Sequence, residues 1–143
     1  MKEANFQTEF KAKNKICGVF ELKLAKGTSL SFSSIKEHQK QALLDISSDT
    51  GLYHKIADAP FFEDPKKRMR FTKPKPFDSF LLKDISAYIV VMFYTPRKKK
   101  NVIYIDIERF IRMEEETTRR SFTEEMAIDY SAFTFSYLKG GNL

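Results

Sequence analysis

Residues 87–94 read Ala87-Tyr88-Ile89-Val90-Val91-Met92-Phe93-Tyr94. The run is far shorter than the roughly 18 residues of a membrane span. It has no polar face at either the helical or the strand period, and β-branched and aromatic side chains dominate it. It therefore predicts a central strand covered on both faces. A basic turn follows at Thr95 to Asn101, carrying Arg97, Lys98, Lys99 and Lys100. Val102 to Ile107 reads as the next strand, so the two form a hairpin. A helix is predicted over 108–116, and Ser121-x-x-Glu124 has the form of a capping box for a second short helix. Phe133 to Leu138 fits either a last strand or an extension of that helix. The tail from 139 to 143 reads as flexible.

On the other side of the central run, Phe77 to Leu82 reads as a strand. Residues 60–76 hold four of the five prolines and six basic side chains, Lys66, Lys67, Arg68, Arg70, Lys73 and Lys75. That composition predicts a basic loop or the arm of a long hairpin. Leu52 to Ala57 is a candidate partner strand. Gly51 is placed to end a helix that begins at Ser34, where Ser34-x-x-Glu37 forms another capping box. Ile35, Ala42, Leu43 and Ile46 make the apolar stripe of that helix, with His38 and Gln39 falling inside it. Ser29 to Ser33 reads as extended and Lys26-Gly27-Thr28 as a turn. Residues 16–24, ICGVFELKL, alternate as a strand with Phe20, Leu22 and Leu24 on one face and Val19, Glu21 and Lys23 on the other. Phe6 and Phe10, four apart, suit one face of a short helix within 1–13. The sum is a mixed α/β or α+β domain: a central mixed β-sheet flanked by helices, with an inserted β-hairpin.

Composition narrows the function. The chain has 143 residues, which fits one domain, and 42% are apolar. Its 25 Lys and Arg against 19 Asp and Glu leave a formal charge of +6, which suits a polyanionic partner. One cysteine, Cys17, excludes an intrachain disulfide, and with only two His a structural zinc site is not expected. No stretch has the length of a membrane span, and MKEANFQTEF at the start lacks the apolar core of a signal peptide. The expected setting is cytoplasmic and reducing.

Glu21-Leu22-Lys23 is the chemically informative triplet. Two apart on a strand, the acid and the lysine share a face. In an otherwise apolar strand such a pair is costly unless it has partners. A carboxylate there suits a divalent cation, and an ammonium beside it suits the charge that develops on a phosphate under attack.

The wider pattern carries a resemblance. Gly18-Val19-Phe20-Glu21-Leu22-Lys23, then Ser29-Leu30-Ser31-Phe32, then Ile35-Lys36-Glu37-His38-Gln39 resembles the PD-(D/E)XK nuclease superfamily. Within it, the chain looks most like RecU-type and related phage Holliday junction resolvases. The resemblance covers roughly 16–46 and 87–107. It implies a restriction-endonuclease-like fold and a single nuclease domain over 1–143. It also implies a Mg2+-dependent, structure-selective DNA endonuclease acting in recombination and repair, with Mn2+ able to substitute. A homodimer cutting four-way junctions at two symmetric positions is the first expectation. Another repair or restriction-type endonuclease of that fold, or a non-catalytic junction-binding accessory protein, stands beside it.

On this resemblance Glu21 is a metal ligand, Lys23 the catalytic lysine, and Gln39, with His38, faces the site from the helix. The family pattern also has a metal-binding Asp on an upstream strand. Thr8 stands near that place here; either Glu9, the nearest acid, takes a metal-site role, or the missing carboxylate comes from elsewhere. Asp78, in Pro76-Phe77-Asp78, is the favoured substitute, with a hairpin of roughly 52–59 and 76–82 bringing it towards Glu21; Asp58 is the lesser alternative. The basic cluster Lys66, Lys67, Arg68, Arg70, Lys73 and Lys75, together with His38 and the run 97–100, is expected to contact DNA phosphates. Phe61, Phe62 and Phe71 are candidates to stack or wedge at an opened junction.

Overall fold

The computed structural model describes residues 1–56 and 76–137. The elements in order are α1 (Glu3–Lys13), β1 (Val19–Lys26), β2 (Ser29–Ser31), a 3-10 turn (Phe32–Ser34), α2 (Glu37–Ser47), β3 (Leu52–Lys55), β4 (Ser79–Leu82), β5 (Ala87–Tyr94), β6 (Lys100–Asp106), α3 (Ile107–Glu116), β7 (Ser121–Thr123), α4 (Glu124–Asp129) and β8 (Phe133–Tyr137). The main sheet has the order β1-β5-β6-β8. β1 runs parallel to β5, with Val19 opposite Ala87 and Lys26 opposite Tyr94, and the remaining pairs are antiparallel. β2 with β7 and β3 with β4 form two small antiparallel ribbons.

The 87–94 run is a central strand, and its period of two sorts the core. Ala87, Ile89, Val91 and Phe93 face one layer, made with Leu43 of α2, Phe110 and Met113 of α3, and Phe122. Tyr88, Val90 and Met92 face the other, made with Phe6 and Phe10 of α1 and Tyr104 of β6. Both layers exclude water from the strand, which explains why it carries no polar position. β1 follows the same parity. Phe20, Leu22 and Leu24 pack towards α1, while Val19 and Ala25 pack towards α2 and α3. Glu21 and Lys23 thus belong to the α2 face, as the alternation requires.

The entry to β1 needs a glycine. Val19 N–H donates to the Ser86 carbonyl at 2.9 Å, and a Cβ on Gly18 would lie 2.6 Å from that same oxygen. Asn14 closes α1: its N–H donates to Phe10 O at 2.8 Å, and its Oδ1 accepts from Tyr104 OH at 2.8 Å and from Ile16 N–H at 3.0 Å.

Both expected capping boxes sit elsewhere. Ser34 closes the 3-10 turn, its hydroxyl donating to Ser31 O at 2.7 Å, and α2 begins three residues later at Glu37. The side chain that closes α2 is Gln39, whose Oε1 accepts from Lys36 N–H at 2.9 Å. Likewise Ser121 lies in β7, and Thr123 caps α4 by accepting from Met126 N–H. Before α2, the β2–β7 ribbon ends at Ser31 and gives way to the 3-10 turn, and Ile35 and Lys36 are extended, so the helix starts past Ser34; before α4, Ser121 to Thr123 are held extended by pairing with β2. Residues 133–137 form an edge strand rather than prolonging α4.

The inserted hairpin is present, with Leu52 opposite Leu82 and Lys55 opposite Ser79. Its base is tied to the C-terminal end of α2, where Asp84 N–H donates to Ser48 O and Ile85 N–H to Ile46 O. Gly51, at φ +80°, makes the turn into β3, and a Cβ there would meet the Leu82 carbonyl at 2.8 Å. Among the described residues no helix is long and apolar enough to cross a membrane.

Candidate active site

β1 and the start of α2 bring three polar side chains together. Glu21 Oε1 accepts from Lys23 Nζ at 3.0 Å and from Gln39 Nε2 at 3.0 Å. Gln39 is therefore used twice, its oxygen closing the helix and its amide nitrogen holding the acid. The Glu21 and Lys23 side chains retain 28% and 18% of their exposure, so the pair is shielded but open to a ligand. Among the described residues Glu21 Oε2 makes no hydrogen bond or ion pair, which leaves it available.

The other expected members lie as follows. His38 is exposed, not half-buried in the apolar stripe of α2. Each helical residue turns about 100° from the last. The buried side runs through Lys40, Leu43 and Ile46, with Ala42 only half-buried, and Gln39 borders it. Glu9 lies on α1, a helix where the family pattern has a strand, and its carboxylate pairs with Lys13 at 3.1 Å and Lys100 at 3.4 Å. Asp78 precedes β4 and is exposed, and its carbonyl accepts from Ile56 N–H at 2.8 Å. Lys66, Lys67, Arg68, Arg70, Lys73 and Lys75, with Phe61, Phe62, Phe71 and Asp58, fall outside the described residues.

No family model matches the chain, and comparisons with curated proteins and with solved structures return no match.

The donor set can be weighed against a metal. Among the described residues no three His, Cys, Asp or Glu side chains are grouped to hold an ion. The cage of several carboxylates that the resemblance implies is therefore not assembled from them. Mg2+, however, keeps much of its water and is often held by one or two carboxylates plus substrate phosphates. Glu21 fits the role of one such carboxylate.

One functional-looking residue escaped the sequence. Lys40 is only 7% exposed and bonds Glu114 of α3 at 2.6 Å and Glu37 at 3.5 Å. Burial works to lower its pKa, but the two carboxylates outweigh that and hold the ammonium above its ordinary 10.5. The signal is its spacing, three before Leu43 and six before Ile46, which puts it on the buried side of α2 although lysine is rarely buried. Fully charged and paired, Lys40 locks α2 to α3.

Proposed function

We propose that this chain is a Mg2+-dependent DNA endonuclease, with four-way junctions as its first substrate. The observation that carries the reading is the meeting of Glu21, Lys23 and Gln39 on one sheet face, within the unit β1-α2-β5, whose two strands run parallel. The finer assignment to a restriction-endonuclease-like core rests on that strand–helix–parallel-strand order together with the sequence resemblance.

In this reading Glu21 presents its Oε2 to the cation. Mg2+, when bound, supplies a water of lowered pKa and offsets charge on the phosphate oxygens. Lys23 sets a positive charge where the scissile phosphate gains negative charge, in a shielded place where such a contact is worth more than in water. Gln39 fixes the rotamer of Glu21 and is a positioning residue. Asp78 enters as the second carboxylate on the strength of the Pro76-Phe77-Asp78 pattern. A junction needs two symmetric incisions, so a two-fold homodimer belongs to the proposal.

That the described residues group no three acidic, His or Cys side chains around a metal favours a second reading, a junction-binding accessory protein without catalysis. Incubating a labelled four-way junction and a matched linear duplex with the protein, with and without Mg2+, separates the two. Paired cuts in the junction alone, dependent on the metal, are expected. Tight binding with no cleavage in Mg2+ or Mn2+ favours the accessory role.

A further inference from the structure

A groove of about 510 Å3 runs from the 3-10 turn to the segment after α3. Its rim carries Ser31, Ser33, Lys36, Arg119 and Arg120, all exposed, over a floor that includes buried Phe32 and Ile35. The rim is held from the backbone. Phe32 N–H donates to Arg120 O at 3.1 Å, Ser31 Oγ donates to the same oxygen at 3.4 Å, and Ser31 pairs with Ser121 across β2 and β7. The Ser31 and Ser33 hydroxyls sit 2.8 Å apart.

The charges do not cancel. Lys40 is neutralised by Glu114, whereas Lys36, Arg119 and Arg120 form no ion pair among the described residues. Glu37 is the remaining acid of the lining, and its side chain is 91% exposed. Three cations and two hydroxyls thus face an open groove, a donor set made for a row of phosphate oxygens. Gln39 joins this groove to the site: it holds Lys36 N–H on one side and Glu21 on the other.

We infer that this groove is a phosphate-backbone track, and that the strand entering the Glu21–Lys23 site lies along Ser33, Lys36, Arg119 and Arg120. The inference rests on the nuclease reading for the identity of the polyanion. It adds a binding surface built from residues other than those of the basic segment 66–75. Phosphate contacts position a duplex without reading its sequence, so the track sets register at the cutting site and leaves base preference untouched.

The test is fluorescence anisotropy of a labelled four-way junction with the full chain in EDTA, across a salt series. Arg119→Ala/Arg120→Ala is expected to weaken binding about tenfold and to flatten the log–log salt slope by about 1–2, in line with two lost phosphate contacts. Lys2→Ala/Lys15→Ala, which removes equal charge at the two ends of α1, is expected to stay within about twofold of the unaltered chain. Equal losses in both variants, no loss in the first, or no binding by the unaltered chain overturns the inference. Cleavage in Mg2+ is scored separately. An unaltered chain that binds through the arginines yet never cuts sinks the nuclease and keeps the track; a double-arginine variant that binds and cuts like the unaltered chain does the reverse.

Discussion

At the residue scale, Glu21, Lys23 and Gln39 make three different predictions. Glu21→Gln keeps the shape of the side chain and both its neighbours but removes the negative charge, so cleavage should be lost while junction binding in EDTA stays within about threefold. Lys23→Ala should also abolish cleavage; rescue by added alkylamines would point to the ammonium itself. Gln39→Ala removes one support from Glu21 and one helix closure. It should lower kcat more than it raises KM, demand more Mg2+ for half-maximal rate, and cost about 1 kcal/mol of stability by chemical denaturation. Unchanged Mg2+ dependence in that variant would make the Gln39–Glu21 bond a structural tie only. Asp78→Asn tests the second carboxylate, and full activity there would remove Asp78 from the site.

At the element scale, much of the fold was legible in the sequence. The doubly apolar 87–94 run announced a central strand, and strand parity alone put Glu21 and Lys23 on one face, because in a sheet the side-chain period is fixed at two. The Phe6–Phe10 spacing announced α1 for the equivalent helical reason. Helix starts were less legible. The Ser34 and Ser121 boxes match the local pattern but do not form, since β2–β7 pairing joins segments 89 residues apart (Ser31 to Arg120 among the bonds beside it), and no local rule sees it. The approach of Gln39 to Glu21 was expected only through a family resemblance, since nothing in spacing fixes how a helix docks on a strand. Gly18 gives the element-scale test. Gly18→Ala drives a methyl into the Ser86 carbonyl, so β1 must shift against β5, and we expect a loss of about 1–3 kcal/mol in urea denaturation with cleavage reduced in step. Unaltered stability would mean that the β1 entry is looser than its 2.9 Å Val19–Ser86 hydrogen bond implies.

At the scale of the whole molecule, two layers of opposite character flank the sheet. The α2–α3 layer carries the shielded polar groups, and the α1 layer is aromatic, with Phe10, Phe20, Tyr88 and Tyr104 in mutual ring contact. Burial raises the pKa of Tyr104 and of Tyr137 above the ordinary 10.0. As pH climbs past that ordinary value the unfolded chain gives up protons that the folded chain keeps. The tyrosine contribution to stability should therefore be level below pH 10 and fall progressively above it. Tyr104→Phe should blunt that alkaline fall in a melting series, and an equal fall in the variant would place its origin elsewhere. Under the proposed function, which needs two symmetric sites, sedimentation should show a homodimer, and a monomer at working concentration would count against junction cutting. Junction affinity should drop steeply with salt, as a chain of charge +6 implies for a polyanion.

The double duty of Gln39 has one more consequence. Because a single amide side chain fastens both the mouth of α2 and the acid on β1, a guest that draws Glu21 off Gln39 takes away one of that amide's two anchors. Deuterium uptake at the Lys36 amide should therefore stay unchanged when a cation sits on the free Oε2, and a rise would show that the guest displaces Glu21 instead, readable even with a variant that turns nothing over.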